Sequence, residues 1–378
     1  RNADDAAATA RILAKGAGAG AGGEGGHHAH RHSKSKKKQQ LGMPLSRFLR
    51  PAPKNVEKPQ MKMTAVLNLM YDMFLKKMVS DEVDDREHVH RQPMADFLRD
   101  YLLHLYGLPS VVEGYLYSIV EVLVRDGRHH PRLRMLCIML GLLEEDKYNP
   151  RFADVFLHLL KRLFPKFSPS ILRTRRVGLC IVKLEDAIEA LNHVFPKEPL
   201  TFSIDRLQLT RGRRTKLWDS VRAEATTYGE FAHDALSLIE EARAGGDAED
   251  GLPALSGLSA VAAVTGTFRE DARVIDVDDL MDMAMTTWWS QVADDASQMK
   301  TVYHDYDTDG NGVLSFSEFK AILAACCPDE VSLRDQMRMF KEVSSMDGPF
   351  SGDAVSANAF AALCAKYGIT PPSEGMTS

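Results

Sequence analysis

The chain has 378 residues, of which 44% are hydrophobic and 26% are charged, and its formal net charge at pH 7 is −5. This length exceeds one average domain, and the composition is typical of a globular protein with a buried core. We predict no membrane span, because the longest apolar run, at 133–143, contains Arg134 and is shorter than the roughly 18–20 residues required.

Residues 1–60 form a low-complexity basic arm, predicted to be disordered by itself because it has little to bury. Between 31 and 62 it holds ten Lys or Arg residues and one acid, Glu57. Such a charge run attracts polyanions: nucleic acid, anionic lipid or the acidic surface of a microtubule. Phe48 is the only aromatic residue among these cations, so base stacking is not indicated. We therefore favour a large protein assembly, such as tubulin or axonemal complexes, over nucleic acid.

Residues 61–164 have the apolar periodicity of helices, at spacings of three and four. Five segments of 14–19 residues repeat this pattern, and several of them open at a proline, which suits the first turn of a helix. Gly107 follows one segment as a plausible C-cap. The short connections predict a helical bundle domain.

Residues 165–243 read as a basic, mixed region that ends in one long helix over 215–243. Residues 244–263 are rich in glycine and small residues, and they are predicted to form a linker into a C-terminal unit at 264–370. Overall, we predict an all-α fold with a basic arm, an N-terminal helical bundle and a C-terminal lobe.

Residues 307–318, DTDGNGVLSFSE, place oxygen-bearing side chains at positions 1, 3, 5, 9 and 12 of a loop. Hard cations such as Ca²⁺ take six to eight oxygen ligands, most of which one tightly wound loop can supply. The glycine at position 6 permits the sharp turn that this winding needs. The predicted Ca²⁺ ligands are Asp307, Asp309, Asn311, the carbonyl of Val313, Ser315 and Glu318.

The flanks of this loop agree with a helix on each side. Leu314, at position 8, is the apolar residue that would pair with a sister loop. Aromatic and apolar residues occupy the faces that the two helices would bury: Tyr303, Tyr306, Phe319, Ile322 and Leu323. With these residues the stretch 295–370 resembles the EF-hand, and 264–294 resembles it more loosely. The resemblance implies a helix–loop–helix that binds Ca²⁺.

EF-hands usually occur in pairs, and 347–359 has the outline of a partner. Val355 and Phe360 stand where Leu314 and Phe319 stand in the first hand. Position 12 holds alanine or asparagine, depending on the register, and a proline intrudes into the loop. We therefore predict a degenerate hand that pairs with the first but binds no ion.

Two weaker echoes lie upstream. Near 268–279, Ile275 and Leu280 stand where Leu314 and Phe319 stand in the first hand, but the preceding loop lacks the acidic residues that would bind an ion. Residues 181–191 repeat this apolar pattern more faintly. A degenerate third hand and a coincidental amphipathic helix explain the first echo equally well. Coincidence explains the second better.

Catalytic motifs are missing from the sequence, which has no P-loop, GxSxG, HExxH or kinase signature. The five cysteines are odd in number and show no CxxC spacing, so we expect reduced thiols in an intracellular protein. We predict a non-enzymatic protein.

Two functional hypotheses remain. The first is a calcium-binding structural or adaptor protein of a large cytoskeletal assembly, cytoplasmic and located in the axoneme of a cilium or flagellum. The alternative is a calcium-responsive regulatory subunit of an enzyme or motor complex.

Overall fold

Five helices follow one another between residues 63 and 163, as the sequence predicts. In the computed structural model they are α1 (Met63–Arg86), α2 (Met94–Tyr106), α3 (Pro109–Asp126), α4 (Pro131–Met139) and α5 (Arg151–Leu163). Proline is the first residue of both α3 and α4, where its missing N–H costs no helical hydrogen bond. Gly107 ends α2 with φ +74°, and its N–H donates to the carbonyl oxygen of Leu103. The predicted C-cap is confirmed.

The structure describes residues 45–50, 52–53, 56–87, 89, 91–142, 149, 151–167, 172–173, 177–196, 209–244, 261–262, 268–327, 331–346, 355–367 and 369. All of them belong to one compact unit, residues 41–378. Three predictions lie mostly outside these residues: the arm at 1–60, of which 1–44 are not described, the linker at 244–263, and the partner loop at 347–359, of which 347–354 are not described.

The second half of the chain is also helical, with one small sheet among the described residues. Its elements are β1 (Ile181–Lys183), α6 (Leu184–Val194), α7 (Arg211–Glu224), β2 (Thr226–Thr227), α8 (Tyr228–Ala244), β3 (Arg273–Asp276), α9 (Val277–Tyr306), α10 (Phe316–Cys326), α11 (Leu333–Met346) and α12 (Ala357–Tyr367). The protein is therefore all-α, as predicted. All five cysteines are free thiols.

The three strands form one antiparallel sheet in the order β1-β3-β2. Val182 of β1 lies opposite Ile275 of β3, and Thr226 of β2 lies opposite Val274. Strand β2 interrupts the single helix predicted over 215–243, so that prediction is wrong. β-branched threonines favour extended backbone, and the carboxylate of Glu230 accepts hydrogen bonds from the Thr227 N–H and from both threonine hydroxyls.

Two hydrophobic cores divide the described residues. The first contains residues of α1 to α8, the sheet and the first part of α9, as far as Trp288. The second begins at Met299 and contains the end of α9 with α10, α11 and α12. We call the part built on this second core the C-terminal lobe. The boundary lies inside the 30-residue helix α9, so the first half of that helix belongs with the bundle and not, as predicted, with the C-terminal unit.

A buried ion pair fastens the start of α9 to the bundle. The guanidinium of Arg132, on α4, donates to both carboxylate oxygens of Asp278, with its Nε 2.9 Å from Oδ1 and an Nη 2.8 Å from Oδ2. The side chains of Arg132 and Asp278 are only 4% and 9% exposed. A bidentate pair satisfies both charges within a site that excludes water.

The segment 45–60 packs against the bundle, which corrects the boundary predicted at residue 61. Leu45 and Phe48 are buried, and the ring of Phe48 makes an edge contact with Tyr117 of α3. The Ser118 hydroxyl donates to the carbonyl oxygen of Pro59. For this part of the basic arm the structure differs from the prediction of disorder, because two large apolar side chains find a surface that the sequence alone does not reveal.

Gly114 on α3 is where this segment comes closest to the bundle. A Cβ at this position would lie 2.1 Å from the carbonyl oxygen of Glu57. We expect Gly114→Ala to lower the free energy of unfolding by about 1–3 kcal/mol, since the backbone of 56–60 would have to move. Denaturant unfolding measures this cost.

Gly212 on α7 is the matched control for that substitution. Nothing lies within 4 Å of a Cβ placed there, so Gly212→Ala should leave stability unchanged or raise it by up to about 1 kcal/mol. Equal behaviour of the two variants would contradict the packing of 56–60 on α3.

Within the described residues, no helix has the length and apolar character that crossing a membrane requires.

Candidate metal centre

The loop 307–318 joins α9 to α10 with a defined cap on each side. Asp307 is the C-cap of α9, and its N–H donates to the carbonyl oxygen of Tyr303. Ser315 is the N-cap of α10 and forms a capping box with Glu318 three residues later. The two helix ends therefore fix the first and the last predicted ligand, while glycines with φ +64° and +78° at 310 and 312 turn the chain between them.

Three carboxylates converge inside this loop. Asp307, Asp309 and Glu318 each offer an oxygen, and these oxygens lie within 4.8 Å of one another. They are the only group of three or more Asp, Glu, His or Cys side chains with this spacing among the described residues. Three negative charges this close repel one another, so a cation placed between them would relieve the repulsion.

Backbone amides hold the first carboxylate in place. The Oδ2 of Asp307 accepts from the Gly312 N–H at 2.9 Å, and its Oδ1 accepts from the Asn311 N–H at 3.2 Å. The side chain of Asn311 bridges the next turn: its amide donates to Asp309, and its oxygen accepts from the Val313 N–H at 2.8 Å. Hydrogen bonds within the loop are therefore enough to wind it.

Glu318 closes the loop from the far end. One carboxylate oxygen accepts from the hydroxyl and the N–H of Thr308, at 2.7 and 2.9 Å, and the other accepts from the N–H and hydroxyl of Ser315, at 2.9 and 2.8 Å. The Thr308 hydroxyl, with the Ser315 donors and the Thr308 N–H, lowers the pKa of Glu318 to about 2. The carboxylate is therefore ionised at neutral pH.

This donor set fits a hard cation. All the predicted ligand atoms are oxygens, and the structure brings together the carboxylates at positions 1, 3 and 12. Each oxygen of Asp307 and Asp309 accepts one hydrogen bond and keeps a further lone pair for a metal. Each oxygen of Glu318 already accepts two, so an ion bound there would replace hydrogen bonds from Thr308 or Ser315. Asn311 and Ser315 lie in the same loop, with their oxygens also engaged in local hydrogen bonds. Asp307, Asp309, Asn311, Val313, Ser315 and Glu318 would hold the ion.

The loop is tied to the last helical unit through Leu314 and Val355. The two residues exchange both backbone hydrogen bonds, at 2.9 and 3.3 Å, in an isolated antiparallel bridge. The pairing fixes the register that the sequence left open, because Glu318 lies four residues after Leu314 and Ala359 lies four residues after Val355. Position 12 of the partner is therefore Ala359, whose buried methyl group cannot bind an ion.

The Tyr303 hydroxyl reinforces this bridge from inside the lobe. It lies 2.7 Å from the carbonyl oxygen of Gly312 and 2.9 Å from that of Val355, and the side chain is 1% exposed. We expect Tyr303→Phe to lower the free energy of unfolding of the lobe by about 0.5–1.5 kcal/mol, because the hydrogen bond of the hydroxyl is lost while the Val355 carbonyl keeps the Leu314 N–H as a donor. Hydrogen exchange at the Leu314 and Val355 amides should accelerate in parallel.

Tyr306, one turn later on α9, is the control. Its side chain is half-buried, and no hydrogen bond of its hydroxyl occurs among the described residues, so Tyr306→Phe should change stability by less than about 0.5 kcal/mol. If both variants behave alike, the bridging role of Tyr303 is wrong.

The same bridge geometry recurs upstream. Val182 and Ile275 pair antiparallel, and a helix begins two residues after each of them, at Leu184 and Val277. This is the relation of Leu314 and Val355 to the starts of α10 and α12. We ascribe the echo at 181–191 to coincidence, and in the structure this segment pairs with the segment that carries the other echo. In the sequence, an apolar residue two positions before the start of each helix is the signal that could have indicated this pairing.

Comparison of the chain with protein-family models, with curated proteins and with solved structures finds no match. The arguments about function therefore depend on the geometry of the loop and its surroundings.

Proposed function

We propose that the protein is a non-catalytic structural or adaptor protein that binds one Ca²⁺ ion in the loop 307–318. The observation that carries the proposal is the convergence of the Asp307, Asp309 and Glu318 carboxylates, with oxygens within 4.8 Å of one another, in a loop already wound by its own amides. The resemblance to the EF-hand supports the same ion.

Calcium suits this loop better than magnesium does. Ca²⁺ accepts six to eight oxygens in flexible geometry, including a bidentate carboxylate, whereas Mg²⁺ demands a near-ideal octahedron and keeps several waters. The loop offers carboxylate, amide and carbonyl oxygens, and it ends on Glu318, whose two oxygens would bind together in exchange for their hydrogen bonds from Thr308 and Ser315. Three carboxylates with a serine at position 9 favour a dissociation constant of roughly 10⁻⁷–10⁻⁵ M.

The surroundings of the loop favour a calcium-stabilised clip. The Leu314–Val355 bridge and the Tyr303 hydroxyl join the two units of the lobe directly. Ala359 has no carboxylate, so a bound ion would have no ligand through which to move the unit that contains Val355 and α12. Binding would then stabilise one conformation, by about 2.7 kcal/mol at a hundredfold excess over the dissociation constant.

A second candidate is the calcium-responsive regulatory subunit. The continuous helix α9 favours it, because its C-terminal end holds Asp307 and its first turn holds Asp278, which is paired with Arg132 of the bundle. A movement of the loop on Ca²⁺ binding would then be transmitted along α9 to the bundle.

Calorimetric titration of the full chain with Ca²⁺ tests the proposal. One site in the stated range supports it, and no heat at millimolar Ca²⁺, or two equivalent sites, contradicts it. Hydrogen exchange over 331–346 and 355–367, together with binding of a hydrophobic dye, separates the two candidates. Added protection with little dye binding favours the clip, whereas deprotection with strong dye binding favours the regulatory subunit.

We also propose that the cations of the arm attach the protein to a large cytoskeletal assembly. Ten Lys or Arg residues face one acid between 31 and 62, and this excess suits the acidic surface of a microtubule. Co-sedimentation with microtubules should fall steeply with added salt and with removal of residues 1–44. Sedimentation that is unchanged by the truncation would contradict this attachment.

A further inference from the structure

Helix α11 has one face in the core of the lobe and one face in solvent. Met339, Phe340 and Val343 are buried, and the ring of Phe340 contacts those of Phe316 and Phe319 on α10. The opposite side carries large side chains that the described part of the chain leaves uncovered. We call this side the α11 outer face: Leu333, Arg334, Met337, Arg338 and Lys341.

Two large apolar side chains lie exposed on the α11 outer face. Leu333 is 58% exposed and Met337 is 47% exposed. The two residues are four apart and therefore lie on the same side of the helix. Apolar side chains at this spacing are suited to pack against the apolar face of another helix.

Positive charge lies along one side of this apolar pair. Arg338 forms an exposed salt bridge with Asp335 at 3.2 Å. Arg334 and Lys341 are exposed and form no ion pair with any described residue. Arg334, Arg338 and Lys341 follow one another at spacings of four and three, so they form a cationic row beside Leu333 and Met337. An occupant should therefore carry negative charge along one side of an apolar strip.

We propose that the α11 outer face docks an acidic amphipathic helix of a partner protein. Apolar side chains of that helix would bury Leu333 and Met337, and its carboxylates would pair with Arg334 and Lys341. The charge rules out the basic arm of this chain as the occupant, since its cations would face cations. A lipid surface fits less well, because two apolar side chains offer little area to a flat bilayer.

This docking site gives the proposed adaptor a class of partner. It depends on the proposed adaptor role but not on calcium binding. The α11 outer face contains none of the predicted calcium ligands, and the opposite side of α11 rests on α10, which begins beside Glu318. Calcium binding is therefore measured separately in the same samples, so that failure of the docking site and failure of the calcium site can be distinguished.

The test uses the full chain and a fluorescein-labelled synthetic helix with leucines four residues apart and glutamates along one side of them. Fluorescence anisotropy should give saturable binding of this peptide. A second peptide, with lysines in place of the glutamates, should not bind. Vesicles containing phosphatidylserine form the third arm and should not bind through this face.

The decisive variant is Arg334→Glu with Lys341→Glu, which should weaken binding of the acidic peptide by at least about tenfold, because like charges would then meet. The matched control is Arg211→Glu with Lys216→Glu on α7, where two exposed cations are likewise without ion pairs to described residues. The control should leave binding unchanged. An unaltered calcium titration verifies that the lobe of each variant is folded.

Four results would overturn the proposal. The acidic peptide fails to saturate, or both peptides bind equally. The charge reversal on α11 has no more effect than the reversal on α7. Finally, the vesicles bind, and the α11 reversal abolishes that binding.

Discussion

Replacing Glu318 with glutamine is expected to weaken Ca²⁺ binding by at least about 100-fold, because the variant loses the charge and the bidentate oxygen pair that complete the ligand shell. Glutamine preserves the capping box with Ser315, so α10 should still begin at Phe316. Calorimetry of the full-length variant measures the affinity. Thermal unfolding should show a correspondingly smaller rise in Tm with added Ca²⁺.

Asp305→Asn is the control for charge alone. Asp305 is exposed in the last turn of α9, two residues before the loop, and it is not a predicted ligand. Its loss removes the same formal charge at a screened position, so affinity should change by no more than about threefold. A loss as large as that of Glu318→Gln would mean that the loop attracts Ca²⁺ only by its overall charge, and the ligand assignment would be wrong.

Removing the guanidinium of Arg132 is expected to cost about 3–5 kcal/mol of stability, since Asp278 would be left as a buried charge without a partner. The variant Arg132→Met keeps a long apolar side chain in the site, which isolates the effect of the charge. Chemical denaturation should give a lower midpoint. Because Asp278 lies in the first turn of α9, protection from hydrogen exchange should fall first where α9 meets the bundle.

The same two helices provide a matched exposed pair. Arg134 on α4 lies 3.5 Å from Asp282 on α9, and the two side chains are 51% and 42% exposed. Arg134→Met should cost no more than about 1 kcal/mol, because solvent screens both charges. The double variant Arg132→Met with Asp278→Leu should recover much of the loss, as no buried charge remains. Similar costs for the Arg132 and Arg134 variants would show that burial does not govern the first pair.

The candidate metal site could be predicted from the sequence because its residues are neighbours in the chain. Asp307, Asp309, Asn311 and Glu318 lie within one turn-rich dodecapeptide, and Gly310 and Gly312 have positive φ values, which glycine adopts readily. The partner unit was harder to predict. The choice between Asn358 and Ala359 at position 12 was decided by the Leu314–Val355 bridge, which joins residues 41 positions apart.

Local signals also determined most of the helices. Prolines at 109 and 131 and the glycine at 107 act within one turn of their own position, so the starts of α3 and α4 and the end of α2 follow from the sequence alone. The lengths do not, because α1 has 24 residues and α4 has nine, outside the predicted 14–19. Contacts between residues far apart in the chain are visible only in the tertiary structure. Arg132 and Asp278 pair across 146 residues, and the carbonyl of Glu57 requires glycine at position 114. Strand β2 has two residues, too few to show a period, and β3 holds it in place. The boundary between the two cores lies inside α9, because a long amphipathic helix can bury each half against a different partner. The sequence of α9 alone does not show which part of the protein each half packs against.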